Sequence, residues 1–148
     1  MAEFVVANGY LFLFLLSFLA ATVVPVGSEW LLVALLYSSL DPAGLLASAT
    51  IGNVLGACTT YAVGVYGGPF LVEKVLRINS QTREKAAIQY RKYGTWSLLL
   101  SWVPIIGDPL CLAGGIFKTP LAWFVSLVLA GKLGRYAFIE YITLQAMG

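Results

Sequence analysis

The chain has 148 residues, 59% of them hydrophobic and only 11% charged, against about 25% charged in ordinary soluble domains. That composition excludes a soluble globular domain and marks an integral membrane protein. Its formal charge is +2 and it contains no histidine, which removes the usual general base and the commonest metal ligand.

The N-terminus, Met1-Ala2-Glu3, carries an acid where a secretory signal would carry positive charge, so the apolar stretch after it is expected to stay in the protein. Phe4 to Val24 is about long enough to span a bilayer, which takes roughly 20 apolar residues. Trp30 to Leu40 is too short to do so. Between them Pro25 cannot donate a backbone hydrogen bond, Gly27 favours irregular backbone, and Ser28 can cap a helix that begins at Glu29. The pair reads as a re-entrant hairpin that enters and leaves on one side of the membrane. Irregular backbone at membrane depth is tolerated only inside protein or beside a wet cavity, so the break marks the molecule's interior.

Asp41 is a good N-cap and Pro42 a good first helical residue, and a crossing helix is expected from there to about Gly67. Its Gly52, Gly56 and Gly64, with Ala49, Ala57 and Thr60 among them, give small-xxx-small spacing suited to close helix packing. Gly67-Gly68-Pro69 ends it. The stretch from Glu73 to Tyr93 then holds Lys74, Arg77, Arg83, Lys85, Arg91 and Lys92, which places it in the cytoplasm by the positive-inside rule. Because Glu73 and Glu84 interrupt these cations, the segment reads as a surface helix and not as a nucleic-acid patch. That helix should start near Ser80, place Ala86, Tyr90 and Tyr93 on one face, and close at Gly94.

Trp96 to Val103 is apolar but short, and Pro104, Gly107 and Pro109 interrupt it around Asp108. Leu110 to Phe117 returns the chain to Lys118 on the side it left, and Thr119-Pro120 caps a last helix running to about Ala146. The halves correspond. Val24-Pro25-Val26-Gly27-Ser28-Glu29 matches Val103-Pro104-Ile105-Ile106-Gly107-Asp108, Asp41-Pro42 matches Thr119-Pro120, and Gly52-Asn53-Val54-Leu55-Gly56 matches Gly131-Lys132-Leu133-Gly134 with one deletion. Each half holds a hairpin plus one crossing, so the second must sit upside down relative to the first. The expected fold is an all-α integral membrane protein with a single membrane domain over residues 1–148. It is an inverted repeat, about 4–68 and 94–147, of re-entrant hairpin plus transmembrane helix, joined over 69–93 by the basic amphipathic surface helix.

Lys132 and Arg135 share a face of the last helix, roughly 18 to 22 Å beyond Pro120 at 1.5 Å per residue. Asn53 lies at similar depth in the first crossing helix, and the breaks bring Glu29 and Asp108 to the same level. A lone charge there costs about 2.5 to 3.5 kcal/mol on insertion scales, so these four must find partners. Two readings stand. In one, Glu29 and Asp108 pair with Lys132 and Arg135 in a static network that only fixes packing. In the other they form a substrate and proton site, the default for intramembrane ionisable residues; proline ahead of the acid in both hairpins favours it, since packing alone needs no broken helix.

At these residues the chain resembles the DedA family, also called the SNARE-associated or VTT domain family, and within it the short YqaA-like branch. Pro25-Val26-Gly27-Ser28-Glu29 resembles the family's Pro-x-Pro-Gly-Glu hairpin with Gly27 for the second proline. Gly52, Gly56, Tyr61 and Gly64 fall on its Gly-x-x-x-Gly-Asp/Asn-x-x-x-Tyr-x-x-Gly helix, with Ala57 at the polar position. Ser101-Trp102-Val103-Pro104-Ile105-Ile106-Gly107-Asp108 stands where the family usually reads Arg-Phe-x-Pro-x-x-Arg, and follows the branch pattern Ser-Trp-x-Pro-x-x-Gly-Asp-Pro instead. The resemblance spans nearly the whole chain and implies lipid movement between leaflets, of a phospholipid or a polyprenyl phosphate, often linked to protons. It thus implies proton-linked gating by Glu29 and Asp108 and headgroup binding by Lys132, Arg135 and Asn53, with Lys132 and Arg135 standing in for the missing arginines.

The expected protein is therefore a multi-pass lipid translocase of a bacterial inner membrane. Its expected partners are a membrane phospholipid or polyprenyl phosphate and protons, with no nucleic acid and with a homo-oligomer allowed. A small-solute or ion transporter and a non-transporting assembly factor stay open as alternatives. No cofactor or metal is expected, since Cys58 and Cys111 lie apart in apolar sequence, and without a nucleophile-base constellation the chain does not read as an enzyme.

Overall fold

The computed structural model describes residues 2–22, 28–38, 40–67, 79–103 and 107–148. Among them every regular element is helical. In order these are α1 (Ala2–Ala20), α2 (Glu29–Tyr37), α3 (Pro42–Tyr66), α4 (Ser80–Tyr93), a 3₁₀ helix (Gly94–Trp102), α5 (Gly107–Ile116) and α6 (Leu121–Met147). Two of them, α3 and α6, are long and apolar enough to cross a membrane. The expected breaks at Pro25, Gly27 and Pro104, and the cations Lys74 and Arg77, lie outside the described residues.

Local chemistry explains the helix starts. The Asp41 carboxylate accepts from the Gly44 N–H at 2.8 Å with Pro42 as first helical residue, and Asn79 Oδ1 accepts from the Thr82 N–H at 2.7 Å to open α4. Each cap satisfies one of the donors that a helix N-terminus leaves free. Gly94 closes α4 at φ 65°, a left-handed backbone suited to glycine. The 3₁₀ helix that follows has three residues per turn, and its burial shows that period: Trp96, Leu99 and Trp102 are exposed while Ser97, Leu98 and Ser101 are buried.

Three expectations fail in detail. Ser28 precedes α2 but makes no capping hydrogen bond; its hydroxyl is used elsewhere. Pro109 does not interrupt a helix, because it sits in the first turn of α5, where the missing N–H costs nothing. Thr119 does not cap α6, since its hydroxyl meets the Tyr90 hydroxyl and its carbonyl accepts from Tyr61 Oη at 2.6 Å. That bond also decides which side of α4 is buried. Tyr90 stacks on Phe117 with ring centroids 5.1 Å apart, whereas Tyr93, placed on the same face by periodicity, is exposed beneath Lys92.

Inside a bilayer, lipid tails are as apolar as leucine, so close approach rather than burial itself must hold helices together. Glycine supplies that approach. α3 packs along α1, and a Cβ at Gly52 would overlap the Phe14 carbonyl while one at Gly56 would overlap that of Phe18. Two apolar clusters result. Leu13, Leu32, Leu35, Leu36, Leu45, Ala49 and Tyr136 form one; Val54, Ala57, Tyr90, Leu98, Cys111, Phe124 and Val128 form the other. Asn53 lies between Ala49 and Val54 on α3, and Lys132 between Val128 and Tyr136 on α6, so the polar side chains occupy the seam.

The packing makes a test. Gly134 has open space at its Cβ position, so Gly134→Ala should leave stability unchanged or raise it by up to about 1 kcal/mol through helix propensity. Gly52→Ala should instead destabilise by about 1 to 3 kcal/mol, the range for overpacking. Melting of the two variants in detergent measures the difference; equal melting temperatures would contradict the α1 to α3 contact.

Candidate functional site

The seam holds two ion pairs, both drawing on α6. Arg135 Nη2 pairs with Glu29 Oε1, and each of these side chains is 23% exposed. Lys132 Nζ lies 3.6 Å from Asp108 Oδ1, with the lysine 4% and the aspartate 42% exposed. One acid starts α2 and the other sits in the first turn of α5, each following a break in apolar sequence.

The pairing departs from the symmetry of the two halves. Asn53 stands in α3 where Lys132 stands in α6, so the first half has no cation on its own long helix for Glu29. Glu29 reaches across to α6 instead, and the two halves are tied by charge. Asn53 itself is buried, and its Nδ2 donates to the Ser17 carbonyl and to Tyr136 Oη, both at 3.1 Å. With both its amide hydrogens used, it is a connector of α1, α3 and α6.

Four of the five expected site residues thus come together as two pairs, and the fifth joins the network beside them. Sequence reasoning missed Tyr136, Ser28 and Ser17. Ser28 Oγ lies 2.5 Å from Tyr136 Oη, both residues being buried. The signal was present, since Tyr136 follows Arg135 and lies one turn beyond Lys132, so the same helix face carries it inward. Glu140 continues that face by another turn, and its Oε2 is buried without a hydrogen-bond partner among the described residues. Gly107 lets the start of α5 pack against Ser101, for a Cβ there would overlap the Ser101 carbonyl. No group of three or more His, Cys, Asp or Glu side chains able to hold a metal occurs among the described residues.

The arrangement offers acids that can trade a cation for a proton, and cations that can trade a carboxylate for another anion. Arg135 presents a planar fork suited to two anionic oxygens, while Lys132 is a point charge. The outer surface suits a bilayer. Leu11, Phe12, Leu15 and Leu19 on α1 and Leu129, Leu133 and Phe138 on α6 face outward, and Trp96 and Trp123, each near the start of its segment, are exposed as interfacial anchors are.

The chain is similar to the inner membrane protein YqaA of Escherichia coli, 38% identical over 136 residues that cover 91% of each chain. The inner membrane protein YqaA of Shigella flexneri matches equally. An uncharacterized protein of Haemophilus influenzae is 33% identical over 150 residues, covering 96% of this chain and 92% of that one. No family model matches the chain, and no solved structure matches it.

The pairs predict an order of stabilities. Glu29→Gln strands a mostly buried guanidinium and should cost about 1 to 3 kcal/mol, whereas Glu29→Gln with Arg135→Gln should recover much of that loss. Asp108→Asn should cost at least as much as Glu29→Gln, because it strands Lys132, which is more deeply covered than Arg135. Thermal melting in detergent checks the ranking; no recovery in the double variant would dissolve the pair as a unit.

Proposed function

The chain belongs to the family of the inner membrane protein YqaA, and from that premise we propose that it moves a lipid with an anionic phosphate headgroup between the leaflets of a bacterial inner membrane. A phospholipid or a polyprenyl phosphate carries such a headgroup, and protons are the coupling species. The observation that carries this reading is the incomplete burial of the Glu29–Arg135 pair. A pair that exchanges partners must be reachable, and both members of this one are partly exposed. Protonation of Glu29 would release Arg135 to a phosphate, and departure of the phosphate would return Arg135 to the ionised acid. Charge stays balanced at each step, so no lone ion faces the bilayer.

The second pair would work in parallel. Asp108, the more exposed acid, exchanges protons more readily, and Lys132, almost fully covered, holds the compensating charge in place. The resemblance to DedA proteins supports the same assignment, as does the order of elements, in which an apolar segment, a short helix and a long helix occur on both sides of α4. On this reading the halves are inverted repeats, the segments around α2 and α5 are re-entrant, and the molecule is a transporter and not an enzyme. Residue 41 then shares a side with the N-terminus, and residue 118 lies opposite it with the basic segment in the cytoplasm. Single cysteines at the two positions, probed from each side with impermeant reagents, should label from opposite sides; labelling from one side would end the inverted-repeat reading.

Protein in vesicles with fluorescent anionic lipids tests the activity. Wild type should accelerate leaflet exchange, and a pH gradient should bias it. Arg135→Gln should slow exchange by about tenfold or more, and Arg135→Lys should restore part of the rate, since it keeps charge but loses the fork. Normal exchange by Arg135→Gln, or full rescue by the charge-balanced pair Arg135→Gln with Glu29→Gln, would assign the ion pairs to packing alone.

A further inference from the structure

Beside the charged pair runs a neutral one in the same register. Ser28 precedes Glu29 and Tyr136 follows Arg135, so the contact of Ser28 Oγ with Tyr136 Oη lies next to that of Glu29 with Arg135. Both members of the neutral pair are about 1% exposed, and both members of the charged pair are 23% exposed. The neutral contact is therefore the inner one.

Donor accounting shows how the tyrosine is braced. Asn53 Nδ2 can only donate, and it donates to the Ser17 carbonyl and to Tyr136 Oη. The tyrosine oxygen is thus an acceptor toward Asn53 while it shares a hydrogen bond with the Ser28 hydroxyl. Ser28 spends nothing on capping α2, although serine at that position normally caps. A capping residue that gives up its cap to meet a side chain 108 positions away has a tertiary task. Ser17, Ser28 and Asn53 come from three elements of the first half, and Tyr136 alone comes from the last helix.

We infer that Tyr136 is a positioning residue for Glu29: its hydroxyl, braced by Asn53, latches Ser28 and holds the start of α2 in place while the Glu29–Arg135 pair is open. This rests on the reading that the pair opens during transport. Without the latch, an α2 of only nine residues would lose its second tie to α6 whenever Glu29 is protonated. Arg135 would then be slow to recover its partner after the phosphate leaves.

The test uses the full chain with Cys58 and Cys111 replaced by alanine and spin labels on Tyr37→Cys and Tyr141→Cys, both exposed. With Tyr136 intact the distance between the ends of α2 and α6 should be narrowly distributed, and Tyr136→Phe should broaden it. In vesicles the same variant should lower turnover about tenfold while the half-saturating lipid content stays within about twofold, the pattern of a group that acts after binding. Ser28→Ala should reproduce both effects, and the double variant should lose no more than either single one, since one contact is removed each time. An unchanged distance distribution in folded Tyr136→Phe, multiplicative losses in the double variant, or failure of both single variants to fold would each overturn the latch. Because the distance measurement needs no transport, absence of lipid exchange in the parent chain would sink the proposed function without deciding the latch.

Discussion

Everything in the interior follows from the need to bring four charges into apolar surroundings without leaving one alone. An isolated ion at membrane depth is too costly to tolerate, so each acid must be delivered to a cation. Delivery requires that α2 and α5 begin inside the protein, because only a helix start places Glu29 and Asp108 where α6 can reach them. Close packing follows in turn. α3 lies between α1 and the second half, and its Gly52 and Gly56 let it approach α1 closely.

The end of the molecule around Thr119 is anchored by a different chemistry. Tyr61 from α3 and Tyr90 from α4 both bond to Thr119, immediately before α6, while Arg91 lies 5.7 Å from the centre of the Phe117 ring. A surface helix with ordinary amphipathic character would rest on lipid headgroups. This one is fastened to the entry of the helix that carries both buried cations. The entry of α6 is thus bonded to both α3 and α4.

Much of this was legible in the sequence because the strongest signals were local. Asp41-Pro42, Asn79-Ser80 and Gly94 act through backbone groups within a few residues, and the helices start and stop there. Pairing of the two acids with the two cations was also legible, since a lone charge in apolar sequence has few ways to survive. What escaped was the choice of partner by neutral groups. Ser28 and Thr119 look like caps, and only the approach of Tyr136 and Tyr90 from distant sequence diverts them. A local rule cannot register a competitor 108 residues away. For the same reason periodicity puts Tyr93 on one face of α4 with Tyr90, whereas Phe117 and Thr119 bury Tyr90 and leave Tyr93 exposed.

The asymmetry between the halves carries the argument one step further. In the second half the long helix supplies the cation for its own acid, Lys132 for Asp108. Asn53, at the corresponding position of α3, offers no such option, because an amide can donate and accept but cannot neutralise. Glu29 is neutralised from α6 instead, while Asn53 turns to the hydroxyl beside Arg135. An amide where the other long helix has a cation thus goes with one seam that ties the two halves together. Opening the charged contact on that seam changes the relation between the halves, and on the lipid-moving reading this is how an event at one headgroup becomes a movement of the whole protein.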